Sequence, residues 1–313
     1  MESSELYHIK QQFTLGAFKA LAAQNLPDES SSDYIPSLLY KARSLIALNQ
    51  PKRALEIIPE DAENVAVKAV ASLARFVAAS STTESEAALE ELRDLSVEIE
   101  GEEDVEGSDS DKALVSVLAG TAFFRANEIE EALETLGSET EDLEAIAVLV
   151  QIYLSINRPD LAKKQFDRSK QWAEDDLLLQ LIESTIGLVT GKDNYANTYS
   201  FYTEQLGNPS LSSPHLLTAR GVTRILRGEV QEAKSDLDES LEQQKGSADT
   251  EAEAALVVAA GLGALKKPEA EELWSKFASE HPSHPLVADV AEKADLFDQY
   301  AAAFTVPALA TAA

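Results

Sequence analysis

The chain has 313 residues, with 55 acidic against 26 basic side chains and a formal net charge of −29. A field of that sign repels nucleic-acid phosphates and anionic lipid, so both are excluded as partners held by the bulk of the surface. An apolar fraction of 44% with only 6% aromatic residues, much of it alanine, points to an all-α globular protein, and the lack of cysteine excludes disulfides, thiolate metal centres and cysteine nucleophiles.

One unit recurs along the chain: two small or apolar residues twelve apart, a turn between them, and a bulky residue four after the second. A weak first copy is Ile9/Leu21 about the turn Leu15-Gly16-Ala17-Phe18. Ala42/Ala54 follows, with Leu48-Asn49-Gln50-Pro51 as its turn, Ile58 as the bulky residue and Pro59 as a helix stop. Phe76/Ala88 is again weak. Gly120/Ala132 has its turn at Ala126-Asn127-Glu128 and its bulky residue at Leu136. The clearest copy is Val150/Ala162, turning at Ile156-Asn157-Arg158-Pro159 and ending on Phe166. Ile186/Thr198, the weakest copy, turns at Thr190-Gly191-Lys192-Asp193, after which Pro209 and Pro214 break the chain. Gly221/Ala233 with Leu237 turns at Leu226-Arg227-Gly228-Glu229, and Val258/Ala270 with Trp274 turns at Leu265-Lys266-Lys267-Pro268.

Each choice has a mechanical cause. Small residues let two antiparallel helices cross closely, and the bulky residue fills the gap to the next hairpin. Asn and Gly accept the left-handed conformation that ends a helix, and Pro suits the first turn of the next. The second members recur at steps of 30 to 37 residues, except for one step of 44 between Ala88 and Ala132. The predicted fold is a tetratricopeptide-like solenoid, a right-handed superhelix of about eight helical hairpins over residues 1–300, with an Ala-rich tail at 301–313. The long step holds residues 98–111, with eight acids and no base, which predicts a disordered loop. Its spacing does not follow the ligand order of a calcium loop.

No residue pattern points to catalysis, a cofactor or a metal. His281 and His284 flank a Pro-Ser turn and read as loop histidines at a joint between repeats. Thr190-Gly191-Lys192-Asp193 lacks the first glycine and the hydroxyl of a phosphate loop, and Gly261-Leu262-Gly263 lacks the third glycine of a dinucleotide site and reads as thinning a helix crossing. Trp172, Trp274, Phe166, Tyr199, Phe201 and Tyr202 have helical spacing and read as core. The acidic N-terminus lacks the pattern of a signal peptide, and the longest apolar runs, of about 12 residues, fall short of a membrane span. The expectation is a soluble, intracellular, non-enzymatic protein.

The irregular features are more specific than the period. Phe13-Thr14-Leu15-Gly16-Ala17-Phe18, the run from Asn157 to Lys164, Trp172-Ala173-Glu174-Asp175-Asp176, Ser283-His284-Pro285 and Asp295-Leu296-Phe297-Asp298 occur in one order along nearly the whole chain. In this the chain resembles the epsilon subunits of coatomer (epsilon-COP). The resemblance implies a structural subunit of the COPI vesicle coat. Such a subunit binds and stabilises the C-terminal region of the coat's alpha subunit in Golgi-to-ER and intra-Golgi transport. It would sit in the cytoplasm and, through the coat alone, on Golgi membranes and vesicles.

The repeat phase assigns the concave, partner-binding face to Thr121, Phe124, Arg125, Gln151, Leu154, Ser155, Thr218, Val222 and Ile225. The alternative is a free tetratricopeptide adaptor that clamps a peptide carboxylate, which needs Lys, Arg and Asn converging from neighbouring first helices. The comparable positions, among them Val117, Thr121, Ala147 and Gln151, hold no base. The acidity is also uneven, with 21 acids against three bases between 84 and 144 and near neutrality over 158–227, which makes that neutral middle the expected docking region.

Overall fold

The structure, a computed structural model, describes residues 3–59, 61–101, 106–191, 194–244, 250–262 and 267–304. Among these residues there is no strand, and the helices pair into consecutive antiparallel hairpins. The pairs are α1 (Ser4–Thr14) with α2 (Phe18–Ala23), α3 (Tyr34–Ala47) with α4 (Pro51–Ile57), α5 (Val65–Ala78) with α6 (Thr82–Gly101), and α7 (Asp109–Arg125) with α8 (Ile129–Leu136). They continue as α9 (Leu143–Ser155) with α10 (Pro159–Ala173), α11 (Leu177–Thr190) with α12 (Asn194–Leu206), α13 (Pro214–Arg227) with α14 (Val230–Gln243), and α15 (Glu251–Leu262) with α16 (Lys267–Glu280). A last helix, α17 (Pro285–Ala302), follows. This is the helical-hairpin solenoid that the period predicts.

The hairpin turns repeat one device. Gly16, Asn49, Asn127, Asn157 and Gly228 all have φ between 57° and 82°. In each case the next residue's N–H reaches five residues back: Ala17 to Gln12 (2.8 Å), Gln50 to Leu45 (2.9 Å), Glu128 to Phe123 (2.9 Å), Arg158 to Tyr153 (2.7 Å) and Glu229 to Arg224 (2.9 Å). These are Schellman stops, which satisfy carbonyls that the ending helix leaves open. A conserved stop geometry fixes the angle at which each second helix returns, so hairpins of one shape can stack.

The crossings follow the twelve-residue offset in four of the five strong copies. Ala42, Val150, Ala54, Ala132, Ala162 and Ala233 are at most 1% exposed. A Cβ on Gly120 would stand 2.6 Å from Leu136 Cγ, and one on Gly221 would stand 2.9 Å from Leu237 Cγ, so both glycines are needed for close approach. The fifth copy is out of phase. Val258 is 38% exposed, whereas Ala255, Ala259 and Phe277 fill the core there. Gly261 thins nothing, since no atom lies within 4 Å of where its Cβ would be, and Gly263 lies outside the described residues.

The acidic stretch is corrected at both ends. Residues 98–101 continue α6, where Leu89, Leu92 and Leu95 are buried. Glu106 accepts from Val65 N–H (3.0 Å), and Ser108 with Asp111 forms a capping box that starts α7. Asn64 also donates to Asp111 (3.1 Å). One acid of this stretch, Asp111, is thus committed to capping, and Glu106 contributes its backbone carbonyl, while 102–105 lie outside the described residues. The tail is corrected too: α17 runs through Ala302, and 305–313 lie outside the described residues.

Candidate functional site

The first helices close into a circuit. α3, α5, α7, α9 and α11 pack in succession, and α1 lies against α3 on one side and α11 on the other. The N-terminal hairpin then fastens to a segment some 200 residues away. The buried Ser213 donates its hydroxyl to Leu15 C=O (2.5 Å), Gln12 donates to Ser210 C=O (3.2 Å) and Lys19 to Gln243 C=O (2.9 Å). Leu15 packs with Phe201, Tyr202, Leu211 and Leu216, and Phe18 meets the His215 ring edge-on at 6.0 Å. A Cβ on Gly16 would stand 2.8 Å from that of His215, so the seam is tight. Burial in this seam pushes the Tyr202 phenol up to about 12.

The circuit encloses a cavity of about 260 Å³ to which all six helices contribute: Lys10 and Phe13, Arg43, Leu73, Thr121 and Arg125, Glu144 and Ala147, and Leu178. Arg43 crosses it to pair with Glu144 and stacks over the Phe13 ring at 4.4 Å, so the guanidinium is held by both charge and ring. Towards the N-terminal ends of the first helices the space widens to about 440 Å³, lined by Tyr40, Leu114, Asp142 and Trp172. A neighbouring recess of about 600 Å³ lies between α1 and the α10–α11 turn, with Tyr7, Lys10 and Trp172 on its walls. Asp142 caps α9 by accepting from Ala145 N–H (2.7 Å), and its partial burial holds its carboxyl above the usual range against that bond.

The predicted face is only partly assembled. Thr121 and Arg125 lie on the cavity wall. Gln151 and Ser155 follow Ala147 and Val148 along the same side of α9 and are exposed. Phe124 and Leu154 instead pack against the main core. Thr218 is 7% exposed and bonded to Pro214 C=O and the Ser240 hydroxyl, while Val222 and Ile225 pack against Leu237 and the alanines of α15. The reason is topological: α1 takes the place beside α11 that α13 would occupy in an open solenoid. The sequence reading also missed Phe13, Arg43, Glu144 and Trp172. Trp172 is 43% exposed at a cavity wall rather than in the core. The neutral middle does not supply most of the wall, which comes from α1 to α9. Among the described residues no group of three His, Asp or Glu is arranged to hold a metal ion. His284 caps α17 by accepting from Leu286 N–H (3.1 Å), and His281 lies 3.2 Å from Glu253.

The family profile described as coatomer epsilon subunit matches residues 2–305. The chain belongs to the coatomer epsilon subunit family. It is 27% identical to coatomer subunit epsilon-1 of Arabidopsis thaliana over 94% of this chain and 95% of that one. It is 24% identical to the probable coatomer subunit epsilon of Schizosaccharomyces pombe over 96% of each. With coatomer subunit epsilon of Caenorhabditis elegans the identity is 26%, over 96% of this chain and 98% of that one. A solved tetratricopeptide repeat protein from Parabacteroides merdae aligns with a TM-score of 0.44 at 14% identity, covering 82% of this chain and 97% of that one. Members of the coatomer epsilon family are components of a vesicle coat. Among the described residues no helix is long and apolar enough to cross a membrane.

Proposed function

We propose that the protein acts within the COPI coat as a non-enzymatic subunit that binds and stabilises the C-terminal region of the coat's alpha subunit. It does so in Golgi-to-ER and intra-Golgi transport, on the cytosolic side and held to membranes only through the coat. The observation that carries this reading is family membership over the whole matched length, residues 2–305. The closed circuit of first helices supports it mechanically. A wall that mixes Phe13, Thr121, Ala147 and Leu178 with Lys10 and Arg125 suits an inserted segment of another chain. Of the predicted face, Thr121 and Arg125 line this wall, and Gln151 and Ser155 are exposed further along α9. Co-purification with the alpha subunit's C-terminal region is the test: a one-to-one complex at low and moderate salt is expected, and its absence at both refutes the assignment.

A second reading, a free adaptor that captures a peptide carboxylate, is favoured by one observation. Lys10, Arg43 and Arg125 do reach one wall, from positions other than those compared in the sequence. Arg43 is already engaged by Glu144, which leaves two bases. Peptides with free and amidated C-termini that bind equally would remove this reading.

A further inference from the structure

The last helix stands away from the rest of the molecule. No residue of α17 is buried, and every residue from 288 to 304 is exposed. It is not a uniformly polar helix. Leu286, Val290, Phe297 and Tyr300 recur at steps of three, four or seven and share one face of α17, with Leu296 at its edge and Phe304 just past the helix end. Phe297, Tyr300 and Phe304 are 71%, 70% and 82% exposed. Single exposed apolar residues are ordinary, but a continuous stripe of large ones along a helix marks an interaction surface. Helices in proteins draw most of their stability from packing of an amphipathic face, so whatever covers the stripe stabilises the helix as well.

Charge indicates what covers it. Asp289 is tied to Lys293 four residues on. Among the described residues Glu292, Asp295 and Asp298 have no cationic partner, and Asp298 borders the stripe. A second copy would bring the same acids against these, on a chain that already carries −29. An anionic membrane is opposed for the same reason, since helices that lie on such membranes carry Lys and Arg on the polar face. We infer that α17 is a docking helix for an amphipathic helix of another protein, one whose apolar seam is bordered by Lys or Arg. The stripe follows the alternating four- and three-residue spacing of a two-helix seam, with Lys293 at the one position that is not apolar, so side-by-side helix pairing is the geometry it offers. This surface is separate from the inner circuit and adds a second contact to the proposed role.

The test uses the full chain and two fluorescein-labelled helical peptides of 21 residues, both with Leu and Ile along one seam. One carries Lys beside the seam and the other Glu. Fluorescence anisotropy at 50 mM salt is expected to show the Lys peptide binding at least tenfold more tightly than the Glu peptide. Phe297→Ser with Phe304→Ser should lower Lys-peptide affinity at least tenfold. Asp295→Lys with Asp298→Lys should lower it as well and raise binding of the Glu peptide. Because α17 has no buried side chain, these variants should leave the unfolding of the hairpin body unchanged, which circular dichroism checks. Equal binding of the two peptides, or Lys-peptide binding indifferent to both variants, overturns the inference. So does a wild-type dimer in sedimentation that the Phe297→Ser/Phe304→Ser variant lacks, which assigns the face to a second copy. Flotation on phosphatidylserine vesicles that this variant abolishes assigns it to a membrane.

Discussion

Glycine to alanine should have opposite signs at two positions of this molecule. Both Gly120 in α7 and Gly261 in α15 are helical, and alanine favours helix over glycine by about 1 kcal/mol in an interior turn, less near a helix end. At Gly261 the new methyl meets nothing within 4 Å, so Gly261→Ala should stabilise by about 0.5 kcal/mol. At Gly120 it would stand 2.6 Å from Leu136 Cγ and 2.9 Å from Cδ2, where an ordinary contact is about 3.5–4.0 Å. Leu136 is 3% exposed at the end of α8, so it cannot swing out into solvent. Overpacking of that kind costs about 1–3 kcal/mol, so after the helix term Gly120→Ala should be destabilising by about 1 kcal/mol. At roughly 1.5 °C per kcal/mol for a chain of this length, the two variants should melt about 2 °C apart. Leu136→Ala alone should cost about 2–5 kcal/mol, and combined with Gly120→Ala it should cost less than the sum, because the new methyl occupies part of the space that Leu136 leaves. Chemical unfolding of the four proteins measures this. A stabilising Gly120→Ala, or strict additivity with Leu136→Ala, would refute the close crossing.

Ser213→Ala removes both the bond to Leu15 C=O and the cap on Leu216 N–H, so it should cost about 1–2 kcal/mol and speed hydrogen exchange in residues 4–23 more than elsewhere. Arg93 joins Glu90 on its own helix to Glu128 and Glu131 at the start of α8 and lies over the Phe123 ring of α7. Arg93→Ala should cost about 1 kcal/mol at low salt, and less in 0.5 M NaCl. The hydrogen bond from Arg93 holds the Glu131 carboxyl below its usual range. Stability from this pair is therefore present above the ordinary carboxylate value and lost as pH falls through the lowered one. The slope of stability between about pH 5 and pH 3 should be shallower in Arg93→Ala. Asp142 has the opposite sign: burial raises its carboxyl, so its contribution falls as pH rises through that range. Asp142→Asn keeps an acceptor for Ala145 N–H without the buried charge and should be neutral or stabilising at pH 7, whereas Asp142→Ala should cost about 1 kcal/mol.

What could be read from the sequence was local. Asn49, Asn127, Asn157 and Gly228 announce their turns because the left-handed conformation is a property of one residue, and Ala54, Ala132, Ala162 and Ala233 announce the crossings because twelve residues fix two helix turns and a link. The circuit's closure was not legible. Its contacts join residues 12–19 to 210–243, and no spacing rule relates Ser213 to Leu15. Extending the period puts Thr218, Val222 and Ile225 on the concave face, a step that holds only while the solenoid stays open. Deleting residues 100–110, which a disordered loop would tolerate, would now remove the Ser108 cap and the Glu106 bond to Val65.

Closure also changes the meaning of the net charge. Acids gather where the first helices begin, and three of them are committed there: Asp111 to the capping box of α7, Asp142 to Ala145 N–H and Asp176 to Leu178 N–H at 2.8 Å. Helix N-termini carry a partial positive charge, so these carboxylates largely offset it rather than project a field into the cavity. Further in, the wall presents Lys10, Arg43 and Arg125 against Glu144 alone, a net basic interior inside an acidic molecule. The charge of −29 therefore governs what the outer faces repel, while the two bases left after the Arg43–Glu144 pair set the sign of what the interior can accept.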